Sequence, residues 1–215
     1  MSRVAGADAC RGGWVAIVAQ GERFVDSLFA ETFATLLEAV RDATHIAVDI
    51  PIGPPAAGVR AADLVARAFV GARRSSVFPT PPRAALVAAS YAEARGILPS
   101  LSAQSFALAK KILEVEACLD DRIFEAHPEV SFAALAGRHL GYSKRSWNGQ
   151  MERRRLLREH RLRLPDRLTA GEAAADDILD AAVLAWSAGR IADGVALTLP
   201  DEPPSQDGRP VAIWY

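Results

Sequence analysis

A chain of 215 residues is long enough for a proper hydrophobic core in one domain, or in a domain carrying a substantial insertion. Half of it is hydrophobic (50%) and 24% is charged, the balance of an ordinary globular protein. The formal net charge of -1 excludes a uniformly basic nucleic-acid binder and leaves room only for a local basic patch. Cys10 and Cys118 stand far apart in no metal-binding or redox spacing, so neither a disulfide framework nor a zinc site is expected. Met1 to Asp8 lacks the apolar core of a signal peptide, and no segment approaches membrane-spanning length. A soluble, cytoplasmic protein is the expectation.

In chain order, Val4 to Ala9 and Trp14 to Gln20 read as short apolar strands joined by a glycine-rich turn at Cys10 to Gly13. Asp8 closes the first strand. A third strand is expected from Arg23 to Phe29, which makes the opening an antiparallel meander. Thr32 to Asp42 carries Phe33, Leu36, Leu37 and Val40 at helical spacing. The strand His45 to Ile50 then ends at Asp49 before a run of prolines, which suggests a position at the rim of a sheet.

The middle reads as a helical insertion, about residues 56–120. Arg60 to Val70 is expected to be a helix, Gly71 to Pro82 a loop, and Arg83 to Arg95 and Ser102 to Cys118 further helices. Arg122 to Ala126 is a short strand before Pro128. A basic stretch follows, with Arg138, Lys144, Arg145, Arg153, Arg154, Arg155, Arg158, Arg161 and Arg163 against only Glu152 and Glu159. A long helix is expected from about Ala170 to Ile191. Leu197 to Pro200 and Val211 to Tyr215 read as short strands flanking a proline-rich loop.

On that last helix Asp177 and Asp180 share one face, and Ala181 and Leu184 continue the stripe inward. Burying an ionised carboxylate without a partner is expensive, so a cation, a hydrogen-bond network or a wet cleft is required there. A bound metal would satisfy that requirement. The alternative is that Asp176 to Asp180 cap the helix or complement its positive end. Against it, Thr169 and Glu172 form a capping box upstream that would leave the acids beyond the first turn.

The segments GADACRGGWV, AVDIPIG, RRSSVFPTPPR, AQSFALAKKILEVE, FEAHPEVSF and DDILDAAVLAW resemble the DUF429 family of predicted ribonuclease H-like nucleases, over nearly the whole chain. The resemblance implies an α/β chain with a single ribonuclease H-like domain over residues 1–215. Its mixed five-stranded sheet is flanked by helices, and the helical insertion lies between the fourth and fifth strands. It implies further that Asp8 and Asp49, from the first and fourth strands, and Asp177 and Asp180, from the late helix, bind two divalent cations, Mg2+ or Mn2+. Asp49 stands where some nuclease branches carry glutamate. Hard oxygen ligands suit those metals, and two ions roughly 4 Å apart can clamp an in-line phosphodiester displacement.

A second group, Glu125, His127 and Glu129, closes the fifth strand. Glu125 is expected to aim a carboxylate at the same cleft as a catalytic residue, while His127 and Glu129 have proton-transfer and helix-capping roles open to them. Arg73, Arg74 and Ser75, with Ser76, suit phosphate contacts. Lys111, in a segment matching the family, is a further substrate-binding candidate. The basic stretch, with Tyr142 and Trp147 near it, suits stacking on bases and neutralising a nucleic-acid backbone, although a solvated helix face explains it too.

Two functions follow: a metal-dependent nuclease acting on DNA or RNA, or a non-catalytic nucleic-acid or nucleotide binding protein on the same fold. A two-domain phosphotransferase of the sugar-kinase and actin type does not fit in this length.

Overall fold

The structure, a computed structural model, describes residues 1–215. The strands Arg3–Cys10 (β1) and Gly13–Gln20 (β2) form an antiparallel hairpin in which Cys10 pairs with Gly13. The turn between them depends on Gly12, whose φ of 81° a residue with a side chain adopts only at a cost. Arg23–Ala30 (β3) pairs antiparallel with β2. Phe33–Ala39 (α1) follows, its first turn capped by the Thr32 hydroxyl, which accepts the Thr35 N–H at 3.1 Å. The chain then returns as His45–Val48 (β4), parallel to β1, and Ile123–Glu125 (β5) lies parallel to β4. The result is one mixed five-stranded sheet in the order β3-β2-β1-β4-β5.

Strand β2 is buried on both faces, and its alternation sorts the core into two layers. Val15, Ile17 and Ala19 face one apolar cluster together with Leu179, Val183 and Leu184 of the long helix Ala175–Ala192 (α9). Trp14, Ala16 and Val18 face another, with Phe33 and Leu36 of α1 and with Ile112 and Val115 of Ala109–Glu116 (α6). Helices therefore cover both sides of the sheet, in an α/β architecture of three layers.

Between β4 and β5 lie Ala61–Phe69 (α2), a 3-10 helix at Gly71–Ser76, Arg83–Leu86 (α3), Tyr91–Ile97 (α4), Ala103–Ala107 (α5) and α6. The expected helix over Arg83 to Arg95 is broken, because Ser90 leaves the helical conformation and accepts the Glu93 N–H at 3.2 Å as the cap of a new helix. Ser102 caps α5 in the same way. The expected single helix up to Cys118 divides again at Leu108. The first half of the expected loop Gly71 to Pro82 is the 3-10 turn.

After β5 come Pro128–Ala136 (α7), Trp147–Glu159 (α8) and α9, then two short antiparallel pairs. Thr198–Leu199 (β6) pairs with Ile213–Trp214 (β9), and Ser205–Gln206 (β7) with Arg209–Pro210 (β8). Leu199, Ile213 and Tyr215 pack on Ala62, Ala66 and Val70, closing a third apolar cluster beside α2. No helix is long and apolar enough to cross a membrane.

The largest boundary correction concerns α9, which begins at Ala175 and not near Ala170. Thr169 does not cap it: the Thr169 N–H instead donates to the Ser27 hydroxyl at 2.9 Å. The capping carboxylate is Asp177, which accepts the Ala174 N–H at 3.2 Å.

Candidate functional site

The parallel pairing of β1 and β4 sets Ala7 opposite Val48, and both belong to the core on the α1 face. The next residue on each strand, Asp8 and Asp49, therefore emerges on the α9 face, at the carboxyl edge of the sheet. The Asp49 N–H donates to Ala7 O at 3.1 Å, which holds the two aspartates side by side.

Helix α9 reaches this edge because Gly6 lets it lie directly on β1. A β-carbon at position 6 would stand 2.1 Å from both Ala181 O and Ala185 N. Asp180, one residue before that crossing, is thereby pressed toward Asp8, two residues after it. Asp180 is 1% exposed and Asp8 6%. Asp49 and Asp177 are half-buried and line, with Asp8, Lys144 and His127, a cleft of about 240 Å³.

Electrostatics confirm that these acids share one environment. Burial, followed by the charges of Asp49 and Asp180, drives the Asp8 carboxyl well above the ordinary carboxylate range, with Lys144 opposing. Burial also raises Asp49, against the pull of His127 and Lys144. Asp180 is pushed up to about 7, by burial first and by Asp49 among its neighbours, although Lys144 pairs with it. Burial raises Asp177 as well, with the Ala174 N–H opposing. The Cys10 thiol, beside Asp177 and Asp8, is pushed up to about 11 by burial and those two charges.

One cation answers this set. Lys144, on the segment between α7 and α8, donates from Nζ to Asp180 Oδ2. Burial works against its charge, but Asp180, Asp49 and Asp8 outweigh burial and hold the ammonium protonated. The other oxygen, Asp180 Oδ1, is buried with no hydrogen-bond partner. Four carboxylates facing one ammonium, with a buried acceptor left over, form a donor set of hard oxygens that fits a divalent cation. In this conformation no three His, Cys, Asp or Glu side chains close on a common point as a finished metal-ligand cluster. Lys144 holds one of the oxygens such a cluster would use.

Glu125 lines the same cleft as Asp8, Asp49 and Asp177, but its carboxylate is engaged by Arg60. It pairs with Val48 in the sheet, at the edge where Asp49 leaves β4. Its Oε1 accepts from Arg60 at 2.7 Å, and its Oε2 accepts from Arg60 and from the Ile52 N–H, both at 2.7 Å. Arg60 also donates to Asp63, so a buried Arg60, Asp63 and Glu125 network lies under the loop that follows Asp49.

The expected substrate contacts are dispersed. Arg73 donates to Gly141 O at 3.1 Å, Arg74 and Ser75 are exposed, and of the 3-10 helix only Ser76 lines the cleft. Lys111 lies in the α1-side layer, its Nζ 4.4 Å from the centre of the Trp14 ring and 3.3 Å from Glu114.

The basic stretch is largely neutralised within the chain. Arg153 is fully buried on Glu129 at 2.6 Å, Arg138 pairs with Glu152 at 2.7 Å, and Arg154 pairs with Asp166 at 2.8 Å. Arg155 pairs with Glu159, Arg145 with Asp176 and Arg161 with Glu22. Glu129 is thus an ion-pair partner at the start of α7, while Tyr142 and Trp147 are 52% and 73% exposed.

Sequence reasoning missed three features: Lys144 as the partner of Asp180, Arg60 as the partner of Glu125, and Gly6 as the contact that seats α9. Only the last left a readable signal, a glycine inside an otherwise apolar strand.

The model of a family described as "Protein of unknown function (DUF429)" matches residues 6–205. No curated protein and no solved structure matches the chain.

Proposed function

We propose that this chain, which belongs to the DUF429 family, is a divalent-metal-dependent nuclease that hydrolyses phosphodiester bonds of DNA or RNA on a ribonuclease H-like fold. The sheet order, with β1 and β4 parallel and carrying aspartates at adjacent ends, agrees with that fold. The helices between β4 and β5 are then its insertion. The observation that carries the reading is the convergence of Asp8 and Asp49 with Asp180, whose Oδ1 is buried and unpartnered.

Asp8, Asp49, Asp177 and Asp180 would hold Mg2+ or Mn2+. When bound, such ions activate water and stabilise the departing oxygen of a phosphodiester. The chain's own contribution is rigidity. Asp49 is fixed through its N–H on Ala7 O, and Ile52, three residues on, is fixed through its N–H on Glu125 and its carbonyl on Arg60. Glu125 is therefore a positioning residue.

The test is purified chain with Mg2+ or Mn2+ on single-stranded, duplex, branched and hybrid substrates, with Asp49→Asn alongside. Losing an outer-shell partner of a metal typically costs about 10–100-fold, so loss of a ligand should cost at least about 100-fold in cleavage with the fold retained. An intact substrate panel under every metal condition would defeat the enzyme reading.

A second reading is supported by Lys144. With its ammonium seated on Asp180, the chain carries a cation of its own at the site, as a binding protein without turnover would. Salt-sensitive nucleic-acid binding without metal affinity would select that reading.

A further inference from the structure

We infer that His127 supplies Nδ1 as a neutral nitrogen ligand to the cation held beside Asp49, making this a mixed oxygen and nitrogen site that favours manganese over magnesium. The inference rests on the metal-dependent reading above.

His127 stands at the junction of β5 and α7. The residue before it, Ala126, donates its N–H to Val48 O at 3.0 Å, so His127 leaves the sheet at the edge where Asp49 leaves β4. Both side chains line the same cleft.

The ring's tautomer follows from its one contact. Nε2 lies 3.2 Å from Ser76 O, and a backbone carbonyl can only accept, so Nε2 carries the hydrogen. In the neutral imidazole the lone pair then resides on Nδ1. Nδ1 is buried and has no hydrogen-bond partner.

Asp180 Oδ1 is in the same position, a buried acceptor without a donor. Lys144, the cation of the site, is engaged on Asp180 Oδ2. Two buried lone pairs without donors call for an electrophile.

The Ser76 carbonyl completes the arrangement. A metal-binding histidine commonly donates its other ring N–H to a carbonyl or carboxylate, which fixes the tautomer and aims the ring. That gives the 3-10 helix Gly71–Ser76 a role through its backbone, where the sequence had pointed to its side chains. Imidazole ligation moves preference away from magnesium, which takes oxygen ligands, toward manganese and the later divalent metals.

The full chain loaded with Mn2+ is examined by pulsed electron paramagnetic resonance, unlabelled and with 15N-histidine, and Mn2+ and Mg2+ affinities are measured by calorimetry for the parent and His127→Gln. The expected result is a nitrogen coupling to Mn2+ that converts to the 15N pattern on histidine labelling. His127→Gln should abolish it, with Mn2+ affinity lowered about 10–100-fold and Mg2+ affinity less. Of the four histidines only His127 lines the cleft, so the labelled parent decides the matter even if the variant fails to fold. Tight Mn2+ binding without histidine coupling overturns the inference and leaves the metal reading standing. No Mn2+ or Mg2+ binding by the parent overturns both.

Discussion

Gly6→Ala tests how the site is assembled. The new β-carbon would fall 2.1 Å from Ala181 O and from Ala185 N, both backbone atoms of α9. Neither can rotate away as a side chain can, so the helix must lift off β1 or the strand must buckle. Overpacking a core costs about 1–3 kcal/mol where side chains adjust. With backbone on both sides, about 3 kcal/mol or more is expected, a large part of the roughly 5–15 kcal/mol that holds a typical domain. At an m-value of about 2–3 kcal/mol/M, the urea midpoint should fall by about 1 M or more. Gly189→Ala on the same helix is the control, because a β-carbon there meets nothing within 4 Å. It should stabilise by about 0.5–1 kcal/mol, through helix propensity alone. If Gly6→Ala unfolds within about 1 kcal/mol of the parent, α9 does not rest on β1 as described, and the approach of Asp180 to Asp8 loses its cause.

Three further outcomes are expected. Arg60→Leu leaves Glu125 and Asp63 buried without their cation and should cost about 3–5 kcal/mol in urea unfolding, whereas a surface pair such as Arg155 with Glu159 should cost under about 1 kcal/mol when broken. Lys144→Met removes the ammonium from Asp180, so the metal-free chain should melt earlier, and added Mn2+ should raise its Tm more than it raises the parent's. The pH profile of the metal-free chain follows from Asp180, whose folded pKa is about 7 against an ordinary 3.8. Between those values the folded state binds the proton and the unfolded state does not, so stability falls as pH rises from about 4 to about 7. Chemical denaturation across that window reads the slope, and a profile rising with pH would refute the buried, raised Asp180.

Much of this was legible because it depends on local rules. The apolar run from Trp14 identified β2, and the glycine-rich turn at Cys10 to Gly13 identified its hairpin. The carboxylates Asp8 and Asp49 were readable as acids ending apolar strands. The rest depended on pairings remote in sequence. Glu125 reaches the cleft as the end of an apolar strand suggests, but its oxygens are taken by Arg60 and the Ile52 N–H. Arg60, its partner 65 residues away, carries no local signature. The pairing of the basic stretch was hidden for the same reason, since the carboxylates that meet it include Glu129, Asp166 and Glu22, which lie outside it. The start of α9 was misplaced because Thr169 and Glu172 satisfy a capping pattern that the chain does not use, while Asp177 does the capping from inside the helix.

That last contact joins the two readings of the acidic stretch. Asp177 accepts the Ala174 N–H through Oδ2 and still lines the cleft beside Asp8 and Asp49. Capping fixes the first turn of α9, and with it the direction in which Asp180, three residues further on, enters the interior. Even with Lys144 on Oδ2, Asp180 is a cost to the fold, carried by the apolar packing of Leu179, Val183 and Leu184 on β1 and β2. The fold thus holds Asp180 in a position that stability alone would not select. A chain tuned only for stability would place an apolar residue there, as it does at Ala181 and Leu184, and this is the cost that the proposed cation would offset.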